Sequence, residues 1–396
     1  MPLTPADPTR DADTWLLHGD TRPTGERTVA PSIPYSATFI ADDAANFAAM
    51  ATTARHPSYY TRYGNPLHDR VADLVAGLEG AESGLCFASG MAAISTVVLS
   101  VIRAGDHVVA QNNHYMGTSM LLTEILPRFG VTVTSVDQTD PDAFAAAIRP
   151  ETTLVHIETP ANPTLALTDI AAVADSAHRV GALLTVDNTF ASPINQRPIS
   201  LGADVVMHSA TKALGGHHDL TAGVAVTTQA RCTEIWRTAV ALGATMSPMD
   251  AWLLLRGLRT LAVRARQQND TAIAVARFLH DHSNVTAVHY PGLPSHPQHE
   301  LARRQMHGFG SLLAVEIDGG YGAAQRFVAR LRLFTHAVSL GGVESLAVHA
   351  AAMWAGTLDE DQMRAAAIEP SLVRLSIGLE HPDALCDDLR QALETN

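Results

Sequence analysis

The fold of this chain is decided by two stretches of sequence, Ala182-Leu-Leu-Thr-Val-Asp-Asn-Thr189 and Ala203-Asp-Val-Val-Met-His-Ser-Ala-Thr-Lys212. In each of them an apolar run typical of a buried strand leads directly into polar side chains. Open α/β sheets bind their ligands outside the carboxyl ends of the strands. Both polar clusters are therefore predicted to lie at one ligand-binding edge of a sheet.

The side chains at these two strand ends match the chemical needs of pyridoxal 5'-phosphate (PLP). Asp187 offers a carboxylate for the pyridinium nitrogen, and Lys212 offers an amine for the aldehyde. Ser209 and Thr211 offer hydroxyl donors for the phosphate. Taken alone, the same residues also fit a surface loop whose solvated lysine lies beside an unrelated aspartate.

Five further motifs make the loop interpretation less attractive. Together with the two stretches above, their order and spacing resemble the Cys/Met-metabolism PLP-dependent enzymes, from about Thr14 to Leu389. That family includes cystathionine γ-synthase, cystathionine γ-lyase, methionine γ-lyase and the O-acylhomoserine sulfhydrylases. The motifs are Tyr60-Thr-Arg62-Tyr-Gly-Asn65-Pro66, Ala88-Ser89-Gly90-Met91, Asn113-His-Tyr115-Met-Gly-Thr118, Val338-Ser339-Leu-Gly-Gly-Val-Glu344-Ser345 and Leu372-Val-Arg374-Leu-Ser376.

The resemblance implies an α/β fold of the aspartate-aminotransferase-like type, the type I PLP fold. The alternation of strand and helix patterns after residue 60 independently predicts a mostly parallel sheet in a large domain. We expect three segments: an N-terminal arm at 1–60 that contacts a neighbouring subunit, a PLP-binding domain at 61–255, and a smaller α+β C-terminal domain at 256–396. Prolines punctuate the first segment, which is predicted to be irregular.

For the cofactor, the resemblance implies that Lys212 forms the aldimine and then serves as the base for the α proton. Asp187 pairs with the pyridinium nitrogen. Ser89-Gly90-Met91 opens an apolar helix whose N-terminus is suited to a phosphate, with Ser209 and Thr211 adding donors. Gly215 and Gly216 are expected to leave space for the cofactor ring. The other implied contacts to the cofactor come from Tyr60 and Arg62 of the adjacent subunit and from Tyr115, which stacks on the ring.

For the substrate, the resemblance implies that Arg374 and the main chain around Ser339 bind the α-carboxylate of an amino acid. Tyr115 is expected to protonate the leaving group, and Glu344 to meet a distal amino group. These roles describe γ-elimination and γ-replacement, which share one machinery. The active site would then exist only in an oligomer, a homotetramer by resemblance.

Three departures from the family's sequence pattern leave the identity of the substrate open. Gly117 stands where methionine γ-lyases carry a cysteine, Leu67 where a threonine is usual, and Trp354 where the family has a threonine. Glu344 favours cystathionine γ-lyase or γ-synthase activity. Methionine γ-lyase, O-acylhomoserine sulfhydrylase, a specialised biosynthetic γ-substituting enzyme and a non-catalytic assembly module remain alternatives, the last weakened because a binding module has no need for the full set of catalytic residues.

Composition excludes other classes of function. The net charge of −13 argues against a nucleic-acid partner, because phosphates are neutralised by clustered Lys and Arg. No apolar stretch is long enough to span a membrane, and the polar start lacks a secretory signal. The dispersed cysteines Cys86, Cys232 and Cys386 fit a reducing cytoplasm. Histidines at His217-His218 and His296-Pro-Gln-His299 lack further ligands nearby, so no metal site is expected.

Overall fold

The computed structural model describes residues 11–20, 28–356 and 359–394. A seven-stranded sheet forms its larger domain, in the order β1-β7-β6-β5-β4-β2-β3. β7 runs antiparallel to both neighbours and the remaining pairs are parallel, which confirms the predicted mostly parallel sheet. The strands are β1 Ser83–Phe87, β2 His107–Gln111, β3 Thr132–Val136, β4 Thr152–Glu158, β5 Leu183–Asp187, β6 Val205–Ser209 and β7 Gly223–Thr227.

Helices cover both faces of this sheet. The strands in its middle are therefore buried on both sides. The stretch after α5 continues as one π-helical turn, Leu121–Ile125, and one 3₁₀ turn, Leu126–Phe129. A second 3₁₀ turn spans Pro198–Leu201. The helices up to the second domain are α1 Ala12–His18, α2 Ala44–Thr52, α3 Pro66–Glu79, α4 Gly90–Val101, α5 Met116–Met120, α6 Pro141–Ala147, α7 Ile170–His178, α8 Ser192–Asn195, α9 Gln229–Leu242, α10 Pro248–Leu258 and α11 Leu261–His280.

The smaller domain is a five-stranded sheet in the order β10-β11-β12-β9-β8, packed against helices around its own apolar core. Only the short β10–β11 pair is parallel within this sheet. The expected α+β C-terminal domain is thus present. Its strands are β8 Val285–His289, β9 Leu312–Ile317, β10 Thr335–His336, β11 Leu346–His349 and β12 Leu372–Ser376, and its helices are α12 His299–Gln305, α13 Gly320–Arg330, α14 Ala350–Trp354, α15 Glu360–Ala365 and α16 Pro382–Leu393.

Helix α11 connects the two domains. Leu261 and Ala262 at its start belong to the core of the large domain. Val275 and Leu279, further along, belong to the core of the small one. The chain therefore passes from one core to the other inside this helix.

The first segment is more ordered than its prolines suggest. Asp11 caps α1 through a bond from the Thr14 N–H, and Leu16 is buried against the large domain. The Trp15 indole donates to the Leu74 carbonyl of α3 at 2.9 Å. Capping and an apolar face thus make a helix where an irregular chain was predicted. Of the expected arm, residues 1–10 and 21–27 lie outside the described residues.

No helix in the described ranges is long and apolar enough to cross a membrane. Within the same ranges, no group of three or more His, Cys, Asp or Glu side chains is arranged to hold a metal ion.

Candidate active site

A cavity of about 460 Å³ opens at the carboxyl ends of β4, β5 and β6, where the large domain meets the small one. Its wall contains ten of the predicted site residues and no part of Tyr60, Arg62 or Glu344. The ten are Ser89, Gly90, Met91, Tyr115, Asp187, Ser209, Thr211, Lys212, Ser339 and Arg374.

Lys212 lies just after β6, and its Nζ donates to the Ser339 Oγ of the small domain at 2.9 Å. Ser339 has a φ of 98°, a left-handed conformation rare for a side-chain-bearing residue and typical of functional sites. Burial, and secondarily the charge of Arg374, lowers the pKa of Lys212 to about 8. A substantial fraction of this amine is therefore neutral near physiological pH, as a nucleophile or base requires.

Asp187 ends β5 and is buried. Its Oδ1 accepts the Thr189 N–H at 2.9 Å and the Thr189 hydroxyl at 2.5 Å. Burial raises the pKa of Asp187, whereas these two bonds and the nearby His208 oppose that shift. A buried carboxylate so held can pair with a protonated ring nitrogen, since a positive partner relieves the cost of its burial.

The N-terminus of α4 forms a compact concave surface beside Lys212. Ser89 caps the helix by accepting the Ala92 N–H at 3.1 Å. A Cβ added at Gly90 would lie 2.7 Å from the Ser209 Cβ, and one at Gly223 would lie 2.1 Å from the Ser89 carbonyl oxygen. These glycines let helix and strand ends approach closely, and the free amides at a helix N-terminus attract phosphate. With a lysine and a carboxylate in the same cavity, the residues fit PLP.

The expectation for Gly215 and Gly216 was wrong. Neither of them lines the cavity. Gly216 has a φ of +74°, and a Cβ there would lie 2.2 Å from the Arg264 Nη1. The guanidinium of Arg264 donates to the carbonyls of Ala213 at 2.7 Å and Gly257 at 2.8 Å. Gly216 therefore makes room for a buried arginine of α11, and Gly215 packs near the Ala210 carbonyl and Leu220, so neither provides space for a cofactor ring.

Arg374 reaches the cavity from β12 and is buried. Its Nη1 donates to Asn162 Oδ1 at 2.7 Å, and its Nη2 donates to the Ser339 carbonyl at 3.0 Å. Its Nε has no hydrogen-bond partner among the described residues. Burial lowers the pKa of Arg374 to about 10, against the opposing effect of Glu158. A buried cation with an unused donor is suited to a carboxylate ligand.

Tyr115 precedes α5 and presents a 47% exposed side chain at the cavity wall. Its amide N–H donates to Glu158 Oε2 at 2.7 Å. A Cβ at Gly117 would lie 2.8 Å from the Met91 sulfur and 3.0 Å from the Tyr115 Cε1. The absence of a side chain at residue 117 thus allows the phenol ring and Met91 to pack together.

Sequence reasoning missed Glu158 and Asn162, both in the cavity wall. Glu158 ends β4 beside Asp187 of β5, and their Cα atoms are paired in the sheet register. Glu158 directly follows the strand-like run Thr153-Leu-Val-His-Ile157, so the rule that ligands gather at strand ends could have identified it. Asn162 gives no such local signal, because its role depends on an arginine from the other domain.

Tyr60, Arg62 and Glu344 lie away from the cavity wall of the same chain. The Arg62 Nη1 donates to the Val240 carbonyl at 2.9 Å, and its guanidinium carbon lies 5.5 Å from the Tyr60 ring centre. Glu344 has a side chain 63% exposed, with an oxygen 4.0 Å from the His218 Nε2. It follows closely on residues 338–340, which line the cavity.

Known proteins match this chain over almost its whole length. It is 42% identical over 385 residues to an L-methionine gamma-lyase of Porphyromonas gingivalis, covering 96% of each chain. It is 44% identical over 335 residues to a cystathionine gamma-synthase of Mycobacterium bovis, covering 84% of this chain and 86% of the other.

Solved structures agree. A cystathionine gamma synthase from Xanthomonas oryzae pv. oryzae, crystallised with aminoacrylate and cysteine, superposes with a TM-score of 0.91 at 40% identity over 97% of each chain. The family model for Cys/Met metabolism PLP-dependent enzymes matches residues 13–394. The fold, the cavity and these similarities lead to one conclusion: this chain belongs to the family of Cys/Met-metabolism PLP-dependent enzymes.

Proposed function

We propose that this enzyme catalyses γ-elimination or γ-replacement on an amino acid that carries sulfur or an activated oxygen at its γ carbon. The observation that carries the proposal is the convergence of Lys212, Asp187 and the α4 N-terminus in one cavity, opposite Arg374 of the small domain. When bound there, PLP supplies an electron sink for charge that develops at the substrate's α carbon. The side chains of the protein supply substrate binding and proton transfer.

Arg374 binds the substrate's α-carboxylate, with the Ser339 main chain completing the clamp. This clamp places the α carbon on the side of the cavity that holds Lys212, whose lowered pKa suits it to take up the α proton and to deliver it again. Tyr115 presents its phenol at the cavity wall and protonates the departing group. Asp187 holds the positive charge of the ring nitrogen when PLP is bound.

The proposed substrate class is the cystathionine type, with Glu344 meeting a second ammonium group near the cavity mouth. A second candidate is release of an uncharged γ-substituent, as in methionine. It is favoured by the apolar part of the cavity wall, which includes Met116, Val338, Met353 and Trp354. The relatives include both gamma-synthases and gamma-lyases.

A second subunit is part of the proposal. Tyr60 and Arg62 are too far from the cavity of their own chain to line it, and they would complete the phosphate site of a neighbour. The nearby segment 28–47 carries exposed apolar side chains, among them Tyr35, Ile40 and Phe47, as expected of a surface covered by a partner. A dimer with shared sites, paired into a tetramer in a reducing cytoplasm, satisfies these features.

The test is a substrate panel. The holoenzyme would be incubated with cystathionine, methionine, homocysteine and O-acylhomoserines, with and without cysteine, and assayed for 2-oxobutyrate and for new thioethers. Lys212→Ala serves as the matched inactive protein and is expected to lose both turnover and the visible band of the bound cofactor. Turnover retained by Lys212→Ala would overturn the catalytic assignment.

A further inference from the structure

Glu158 is a buried carboxyl group in the cavity wall to which the reaction outlined above gives no task. It is 3% exposed and ends β4 next to Asp187. Its own main chain is fixed by Gln111, whose side-chain amide exchanges two bonds of 2.9 Å with the Glu158 N–H and carbonyl. A carboxyl group is costly to bury, so its contacts should account for its presence.

The two oxygens of Glu158 hold two different parts of the site. Oε2 accepts the Tyr115 amide N–H at 2.7 Å, at the point where α5 begins. Oε1 accepts the backbone N–H of Asn162 at 3.2 Å. The side chain of Asn162 in turn accepts the bond from Arg374. One carboxyl group is therefore the common anchor of the phenol loop and of the carboxylate clamp.

The burial of Glu158 also changes the titration of its carboxyl group. Burial, and then the charge of Asp187, raises the pKa of Glu158 to about 8, while the two amide bonds and Arg374 act in the opposite direction. Among the described residues, no side-chain donor bonds to the carboxyl oxygens of Glu158. These oxygens accept hydrogen bonds from the backbone N–H groups of Tyr115 and Asn162.

Resting on the proposed function, we propose that Glu158 is a positioning residue that sets Tyr115 for proton donation and, through Asn162, sets Arg374 for the substrate carboxylate. It acts on substrate through these residues and not by contact. Glu158→Gln keeps the volume but leaves one of the two backbone N–H groups facing an NH₂ group. The side chain must shift to relieve that contact, and the shift should disturb both segments because both bond to this one side chain.

The experiment compares holoenzymes carrying Glu158→Gln, Asn162→Ala and both changes. L-alanine has an α-carboxylate but no γ leaving group, so spectroscopic titration with L-alanine measures how tightly Arg374 and the Ser339 main chain bind a carboxylate. We expect Glu158→Gln to raise the dissociation constant for L-alanine about tenfold and to lower kcat about tenfold, the size of one lost hydrogen bond. Cofactor retention should stay unchanged. For L-alanine the double variant should be little worse than Asn162→Ala, because both changes act along one path.

The matched control is Asp388→Asn. Asp388 is also buried and also accepts backbone N–H groups, those of Arg332 and Leu333, in the small domain away from the cavity. It should lower the melting temperature without changing kcat or L-alanine affinity. If Glu158→Gln behaves in the same way, or if the effects of Glu158→Gln and Asn162→Ala on L-alanine affinity multiply in full, the proposal is overturned.

Amide hydrogen exchange separates this proposal from the proposed function. In Glu158→Gln, peptides covering 113–120 and 160–164 should exchange faster than in the unmodified protein, whether or not any substrate on the panel reacts. Unchanged exchange in both segments would contradict the anchoring role. A wild-type enzyme that turns over no substrate would contradict the γ-chemistry alone.

Discussion

Two cationic side chains, Lys212 and Arg374, share one partner residue at the centre of the site. Lys212 bonds the Ser339 hydroxyl and Arg374 bonds the Ser339 carbonyl. Burial lowers the pKa of both groups, and the charge of Arg374 lowers that of Lys212 further, so the lysine, with its lower ordinary pKa, loses its proton first. The arginine proposed to bind the substrate carboxylate thereby also favours the neutral, reactive form of the lysine.

This coupling predicts the pH dependence of cofactor capture by the apoenzyme. Only the neutral amine reacts, so the rate of appearance of the visible cofactor band should rise about tenfold per pH unit below pH 8 and level off above it. Arg374→Met removes a positive charge, raises the pKa of Lys212 and should move the midpoint to higher pH. Arg326→Met, an exposed change on α13, should leave the midpoint in place. A midpoint that stays or falls in Arg374→Met would contradict the coupling.

Glu344 is expected to determine which substrate the enzyme prefers. A charge-assisted hydrogen bond from a substrate ammonium to Glu344 contributes about 1.5–3 kcal/mol. Glu344→Ala should therefore lower kcat/KM for cystathionine by roughly one to two orders of magnitude and leave methionine little changed. Equal losses on both substrates would mean that Glu344 has a structural role.

Trp354→Thr provides the opposing comparison. Faster turnover of cystathionine in that variant would mean that the native γ-substituent is smaller or of another kind.

Much of the site could be predicted from residues near buried strands. Lys212 and Asp187 were predicted because each directly follows an apolar run, Arg374 was assigned only from the family resemblance, and all three line the cavity. The contact between Ser339 and Lys212 could not be predicted, because it joins two domains. Gly216 was misjudged since nothing in the local sequence reveals that Arg264, on a distant helix, occupies the space beside it.

At the scale of elements, a helix cap helps to fix the segment that carries Tyr60 and Arg62. Asn65 caps α3 by accepting the Leu67 N–H at 3.1 Å and donates to the Pro34 carbonyl at 3.1 Å. It therefore joins the segment that holds Tyr60 and Arg62 to the chain before it.

Asn65→Ala should be more destabilising than the loss of an ordinary cap. Removing a cap costs about 1 kcal/mol, and the lost bond to Pro34 in a buried setting adds about another. Asp140→Ala, which removes an exposed cap from α6, should cost only the first amount. Thermal unfolding of the two holoenzymes should show a clearly larger drop in melting temperature for Asn65→Ala. Equal drops would mean that the Pro34 bond contributes nothing.

Strands and helices with strong periodicity were predicted well, and the exceptions have physical causes. The break between α10 and α11 is one exception: there the Arg259 guanidinium donates to the buried Asp20 and to the Leu16 carbonyl, partners from a distant segment that the local sequence does not reveal. β10 has two residues, both exposed, so no apolar pattern could reveal it. α1 was missed because prolines around it outweighed its capping aspartate.

At the scale of the whole molecule, the proposed shared site makes activity a property of pairs. In a mixture of Arg62→Ala and Lys212→Ala subunits, a mixed dimer has one site with both residues intact and one site with neither. Random exchange should then restore about one quarter of wild-type activity, since half of the dimers are mixed and half of their sites are complete.

The measurement is turnover after the two inactive proteins are unfolded together and refolded, with each variant refolded alone as the control. Absence of recovery in a mixture that has formed mixed oligomers would contradict the contribution of Arg62 across the subunit boundary.

The bonds that close the cavity also set when an unfinished chain can become active. Asn162 and Arg374 are separated by 212 positions, and Lys212 and Ser339 by 127. During synthesis at about 5–20 residues per second, Lys212 is made roughly ten seconds or more before Arg374. A nascent chain thus carries its amine before the arginine of the proposed clamp exists, and it can take up amino acids in the proposed way only after β12 has been synthesised.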